Sequence, residues 1–223
     1  MTTTTTSLCS TDTAATRTTH WGTSAAAAAY VAAWLVGLAL APAAPAPDAP
    51  VDAISRFYVD NAAPVLASSA LVHGAAGLAL GSFAWTLAKA VQARGGLRRA
   101  VLGTGITASA LSLTQVGIAV AATKYADSDA GRAANLFHAL NLVDVLKIAL
   151  LASFVVAGTT AAAQHQHLPR WLRGLAGVLV PTLVTGSAAL VTPAAPLSAA
   201  LAGSLVGLLV WTGSIAVVLR RAR

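Results

Sequence analysis

The chain contains no glutamate, and its seven acidic side chains are all aspartates. That absence removes the glutamate sets on which most glycosidases and di-metal helix bundles depend. Cysteine is nearly absent as well. Cys9 stands alone in a polar N-terminal stretch, so no intrachain disulfide and no thiolate metal centre can form. Charge of either sign is scarce: Asp, Glu, Lys and Arg make up 9% of the 223 residues, against roughly 25% in an ordinary soluble domain. With 57% hydrophobic residues, such a chain cannot cover a water-facing surface and belongs in a bilayer. Enzyme signatures are missing too. There is no G-x-S-x-G, no H-E-x-x-H, no P-loop and no G-x-G-x-x-G opening a helix after a strand. GTGITASA, from Gly103, lies inside an apolar run and reads as packing.

What the chain does have is long apolar runs. Six of them, at about 21–41, 63–88, 101–122, 136–156, 172–191 and 197–219, are each long enough to cross about 30 Å of hydrocarbon as a helix. The expected fold is therefore all-α, a six-span transmembrane helix bundle over residues 21–223. Residues 1–20 are half threonine with no apolar period, and a disordered cytoplasmic tail is expected there. APAAPAPDAP, residues 41–50, reads as an extended linker, and Pro193 to Pro196 as a tight turn. Gly77-x-x-x-Gly81 and Gly203-x-x-x-Gly207 let helix backbones approach closely in lipid, and Pro181 is expected to kink the fifth span.

The net charge of +7 does not imply nucleic acid, because the basic residues fall in short clusters between the runs. Those clusters set orientation. With the N-terminus inside, Arg17, Lys89, Arg94, Arg98, Arg99, Arg170, Arg173, Arg220, Arg221 and Arg223 are cytoplasmic, while only Arg56, Lys124 and Arg132 lie outside. Asp48, Asp52, Asp60, Asp127 and Asp129 fall outside with them. Both termini are thus expected in the cytoplasm. A competing reading takes Ala39-Leu40-Ala41 as a signal-peptidase site, which would remove the first run and leave the other orientations unchanged.

One run carries a polar stripe. In NLFHALNLVDVLK, Asn135, His138, Asn141, Asp144 and Lys147 recur every third residue, and each step of 300° moves the stripe 60° around a helix. His138, Asn141 and Asp144 cover a sector of about 120°, and Lys147 widens it to about 180°, so this helix should face the bundle interior. Leu, Ile, Phe and Val between Leu136 and Val156 favour insertion by roughly 4 to 8 kcal/mol, while Asp144 and Lys147 oppose it by about 2.5 to 3.5 kcal/mol each. The two nearly cancel, so neighbours or the pair itself must compensate. Two readings stay open. In one, Asp144 and Lys147 form an internal ion pair at i,i+3 and Asn141 bonds to Ser or Thr on another span. In the other, His138, Asn141, Asp144 and Lys147 form a polar site that exchanges protons or holds a ligand.

His73, in LVHGAAG, lies in the same half of the bundle as His138, and two imidazoles are a usual pair of haem ligands. The bland reading of His73 is a histidine hydrogen-bonded within the bundle. His165 and His167 form an H-x-H pair in a loop, which alone does not make a metal site. Ser68, Ser69 and Ser112 have no base beside them in sequence.

DAISRFYVDNAAPVL ahead of a long span with a basic exit, and LPRWLRGLAGVLV opening the fifth span, resemble a family of uncharacterised multi-pass membrane proteins of high-GC Gram-positive bacteria. The similarity covers about residues 48 to 220. It implies six helices and a plasma-membrane address, carries no catalytic residues across, and does not include the stripe ending in Asp144 and Lys147.

The reading is a non-catalytic integral protein of the bacterial cytoplasmic membrane, with no cofactor, no metal and no nucleic-acid partner. Its expected partners are the lipid bilayer and a second copy of the chain through its small-residue faces. Two alternatives are a small proton-coupled carrier using His138, Asn141, Asp144 and Lys147, and a haem electron-transfer protein using His73 and His138.

Overall fold

The computed structural model describes residues 10–165 and 168–221. Among them every regular element is helical. In chain order these are α1 (Ser10–Leu40), α2 (Val51–Asp60), α3 (Ala62–Ala90), α4 (Gly95–Tyr125), α5 (Ala130–His165), α6 (Arg170–Ser187, followed by a 3-10 turn to Leu190) and α7 (Ala195–Arg221). All but α2 supply a segment long and apolar enough to cross a membrane, so the chain is a multi-pass membrane protein with the six spans its apolar runs predict.

Short connections force neighbouring spans to run antiparallel. Each spanning helix packs on its neighbours in the chain, and α1 closes the ring by packing on α7. All the odd ends therefore gather on two faces. One carries Lys89, Arg94, Arg98, Arg99, Arg170, Arg173, Arg220 and Arg221 and is called the basic end; the other carries α2. Exposed Trp21, Trp85 and Trp171 all lie toward the basic end, where Arg220 stacks over Trp21 at 4.3 Å and Lys89 over Trp85 at 4.7 Å. Amphipathic rings beside cations are what a headgroup layer favours.

Helix ends outrun the apolar runs. The fourth run was read over 136–156, but α5 extends from Ala130 to His165, because helix geometry persists into the headgroup region. Within the stretch read as a tail, residues 10–20 are helical and continuous with the first span. Extending an existing helix avoids the costly nucleation step, so composition alone underestimates it. Residues 1–9 and His167 lie outside the described residues.

The two glycine pairs behave differently. Ser109 donates to the Gly77 carbonyl at 2.7 Å, and a Cβ at Gly77 would stand 2.9 Å from that of Ser112, so this motif serves the α3–α4 contact. Gly203 meets no neighbour, whereas a Cβ at Gly207 would stand 3.1 Å from Leu179 of α6. The α6 helix runs through Pro181, and Thr185 donates to the Pro181 carbonyl at 2.8 Å.

Two apolar clusters fill the ring. In the larger, Phe83 of α3, Phe154 of α5 and Trp211 of α7 meet edge to face, with centroids 5.8 to 6.5 Å apart. The Trp211 indole donates to Thr159 Oγ1 at 3.0 Å, which satisfies its one polar atom. The smaller cluster sits at the α2 end and joins Ile54 and Tyr58 of α2 to Val65, Ala122, Ala126, Ala133 and Phe137. Ser55 clasps this helix to the bundle by donating to the Ala126 carbonyl at 2.5 Å.

Candidate functional site

Lys147 lies near the middle of α5, 4% exposed, where a bare ammonium would be prohibitively costly. An ammonium has three hydrogens to donate, and here three acceptors receive them. Asp144 Oδ1, one turn back on the same helix, is 2.5 Å from Nζ. Gln115 Oε1 on α4 is 2.6 Å away, and His73 Nδ1 on α3 is 3.2 Å away. Lysine has no lone pair to offer, so His73 must accept at Nδ1, and its ring is the neutral tautomer with the hydrogen on Nε2. Lysine and aspartate cancel, and the four-residue cluster carries no net charge.

Three helices hold this arrangement. Gln115 is fully buried on the face of α4 that meets α5, and its amide nitrogen reaches the Leu140 carbonyl at 3.5 Å. His73 stands in an unusual place: residues Ala70–Ala75 of α3 form a π-helical turn inside an otherwise α-helical span. A π turn inserts extra chain into the helix and rotates the following side chains, and such turns recur at functional sites. Here it carries the imidazole that meets Lys147.

A cavity of about 320 Å³ reaches this cluster from the α2 end. Its rim is formed by exposed Leu38, Ala41 and Ala44, with Phe57 and Tyr58 of α2 beside it. Burial pushes the Tyr58 phenol up to about 12, so it stays a neutral hydroxyl at any physiological pH. The walls are apolar, from Trp34 and Val72 to Ile148, Leu201 and Leu205. Polar groups collect near mid-depth: Ser69, His73, Asn141, Asp144 and Lys147. The cavity is one-ended. Phe154 lies seven residues past Lys147 on the same face of α5, about 10 Å deeper by helical rise, and with Phe83 and Trp211 it fills the ring below.

Two of the lining polar groups are unmatched among the described residues. The Ser69 hydroxyl is buried with no hydrogen-bond partner. Asn141 is 9% exposed, and its side-chain amide makes no hydrogen bond within the described residues. The Ser69 oxygen has almost no accessible surface, whereas the Asn141 amide retains some in the cavity wall, so Asn141 is the unpaired group that a partner can reach.

The stripe read from sequence is thus divided. Asn141, Asp144 and Lys147 turn inward, and the Asp144–Lys147 pair forms at i,i+3 as the spacing allows. Asn135 and His138 are exposed, and the His138 ring sits edge-on to Phe137 at 5.6 Å. His73 and His138 are therefore not brought into one site: the first lines the cavity and bonds to Lys147, and the second does neither. Nor, among the described residues, does Asn141 bond to a Ser or Thr on another span. Nothing in the sequence ties Gln115 or Ser69 to this cluster, although Gln115 is the one amide side chain within 101–122. Among the described residues no group of three or more His, Cys, Asp or Glu is placed to hold a metal.

No protein-family model, curated protein or solved structure matches this chain.

Proposed function

We propose that this membrane protein holds a small molecule in the one-ended cavity, with the polar groups around Lys147 fixing the molecule's polar end. The observation that carries the reading is the unpaired Asn141 amide in the cavity wall, beside a charge cluster whose own bonds are complete. A buried ion pair contributes little stability over an apolar pair of similar volume, so stability alone is a weak reason to keep Asp144 and Lys147 at mid-depth. At about 320 Å³ the cavity also lies at the lower end of the range used for small ligands. The lysine and arginine distribution supports placing the basic end in the cytoplasm and the mouth outside.

The test is to fill the space. Ser69→Leu removes the unmatched hydroxyl and occupies part of the cavity, and it should leave the unfolding temperature unchanged or raised. Native mass spectrometry of protein released from its own membranes should show a co-purifying small molecule on the wild type and none on Ser69→Leu. Equal spectra for the two, bare or loaded, would overturn the reading.

A proton-coupled carrier is the second reading, favoured by ionisable groups at mid-depth on three helices. It requires the Phe83, Phe154 and Trp211 layer to open. Its mark is pH-dependent solute flux into proteoliposomes that Asp144→Asn abolishes.

A further inference from the structure

We infer that the occupant is uncharged at its polar end: an alcohol, amide or carbonyl headgroup on a slim apolar body that enters from the lipid phase. This rests on the cavity being a ligand site, and it adds the ligand's chemical class.

Lys147 and Asp144 cancel, His73 is neutral, and every hydrogen of the ammonium already has an acceptor. An anionic headgroup would have to displace Asp144 from Lys147, stranding one carboxylate in the bundle interior. A cationic one would leave a surplus positive charge there. Either outcome costs several kcal/mol by the usual penalty for unpaired charge away from water.

The unpaired amide points the same way. Asn141 offers two donors and an acceptor to the cavity. These complement a hydroxyl, an amide or a carbonyl without requiring charge. The route to them carries no charge either. The charged residues of the α2 end, Asp52, Arg56, Lys124 and Arg132 among them, do not line the cavity, whose rim and walls are Leu, Ala, Pro, Val and aromatic side chains. An ion approaching from water would shed its hydration against these walls with nothing in exchange. A lipid-soluble molecule already has done so. Size sets the length: at about 30 Å³ for each water-sized unit, the volume holds roughly ten non-hydrogen atoms.

Three probes share a nine-carbon chain and differ at the head: nonan-1-ol, nonanoate at pH 8 and nonylammonium. Each is titrated into the full chain in lipid nanodiscs, and the shift in unfolding temperature is read against the same titration of Ser69→Leu, which cancels partition into lipid. Nonan-1-ol should stabilise the wild type above that reference, and the two ions should not. Asn141→Leu should weaken nonan-1-ol roughly tenfold or more, the loss of about one hydrogen-bonded contact. Its ligand-free unfolding temperature should be unchanged or higher, because an unpaired amide in an apolar wall is replaced by an apolar side chain. Asn141→Asp should shift preference toward nonylammonium. Nonanoate or nonylammonium binding the wild type as tightly as nonan-1-ol would overturn the inference while leaving a ligand site in place. Wild type and Ser69→Leu responding alike to all three probes would overturn the ligand site itself.

Discussion

Above and below Lys147 the same ring of six helices is filled in two ways. Toward the basic end, Phe83, Phe154 and Trp211 occupy the axis, and the one polar atom among them is paired with Thr159. Toward the α2 end, apolar walls from Trp34 to Leu205 stand around Ser69, His73, Asn141 and the Asp144–Lys147 pair, and a cavity of about 320 Å³ remains. What separates the dry level from the open one is how many polar groups stand on the axis.

Three experiments press on this contrast. The largest effect is expected at the aromatic layer, where Trp211→Ala should destabilise by about 3–5 kcal/mol through the void it leaves. Trp34→Ala should cost clearly less, because Trp34 already borders empty space and gives up fewer contacts. Thermal or denaturant unfolding in lipid compares the two. Equal losses would mean that both halves are packed alike and that the cavity is not a standing feature.

Next comes the charge pair. Lys147→Leu and Asp144→Leu each strand a buried charge and should cost roughly 3–5 kcal/mol, while the double variant should return most of that loss. A double variant less stable than either single would identify the pair as structural support and remove the motive for a functional site. The smallest effect belongs to the rim. Ser55→Ala gives up one hydrogen bond to Ala126, worth about 1 kcal/mol, and should speed amide exchange across α2 with little change in global unfolding. A matching fall in global stability would show that α2 is part of the core and not a cover upon it.

The spans were legible because each apolar run had to be about as long as the hydrocarbon is thick, a constraint local in sequence. The ion pair of Asp144 and Lys147 was legible for the same reason: both partners lie within one helical turn. Gln115 and His73 were not visible as its partners. They approach from 32 and 74 residues away, and only the packing of α3, α4 and α5 brings them together. The π turn at Ala70–Ala75 adds to this, since it rotates His73 away from where a regular helix would aim it. The stripe failed at His138 because a row at every third residue drifts around the helix, and by Asn135 and His138 it has left the inward face. Helix α2 was missed because proline and aspartate flank it, although Ile54 and Tyr58, four residues apart, already mark a buried face.

The aromatic layer also has an electrical meaning. A membrane voltage does about 2.3 kcal/mol of work on each unit charge per 100 mV, and it falls mainly across the part of a protein that excludes water. With the cavity wet, the α2-side potential extends down to Lys147, and the drop is concentrated on the two helical turns that hold Phe154 and its neighbours. With an apolar occupant in place, the insulating slab thickens to take in the cavity, and the Asp144–Lys147 dipole comes to lie within the field. Occupancy would then be written into the capacitance of this small patch of membrane, whether or not anything crosses it.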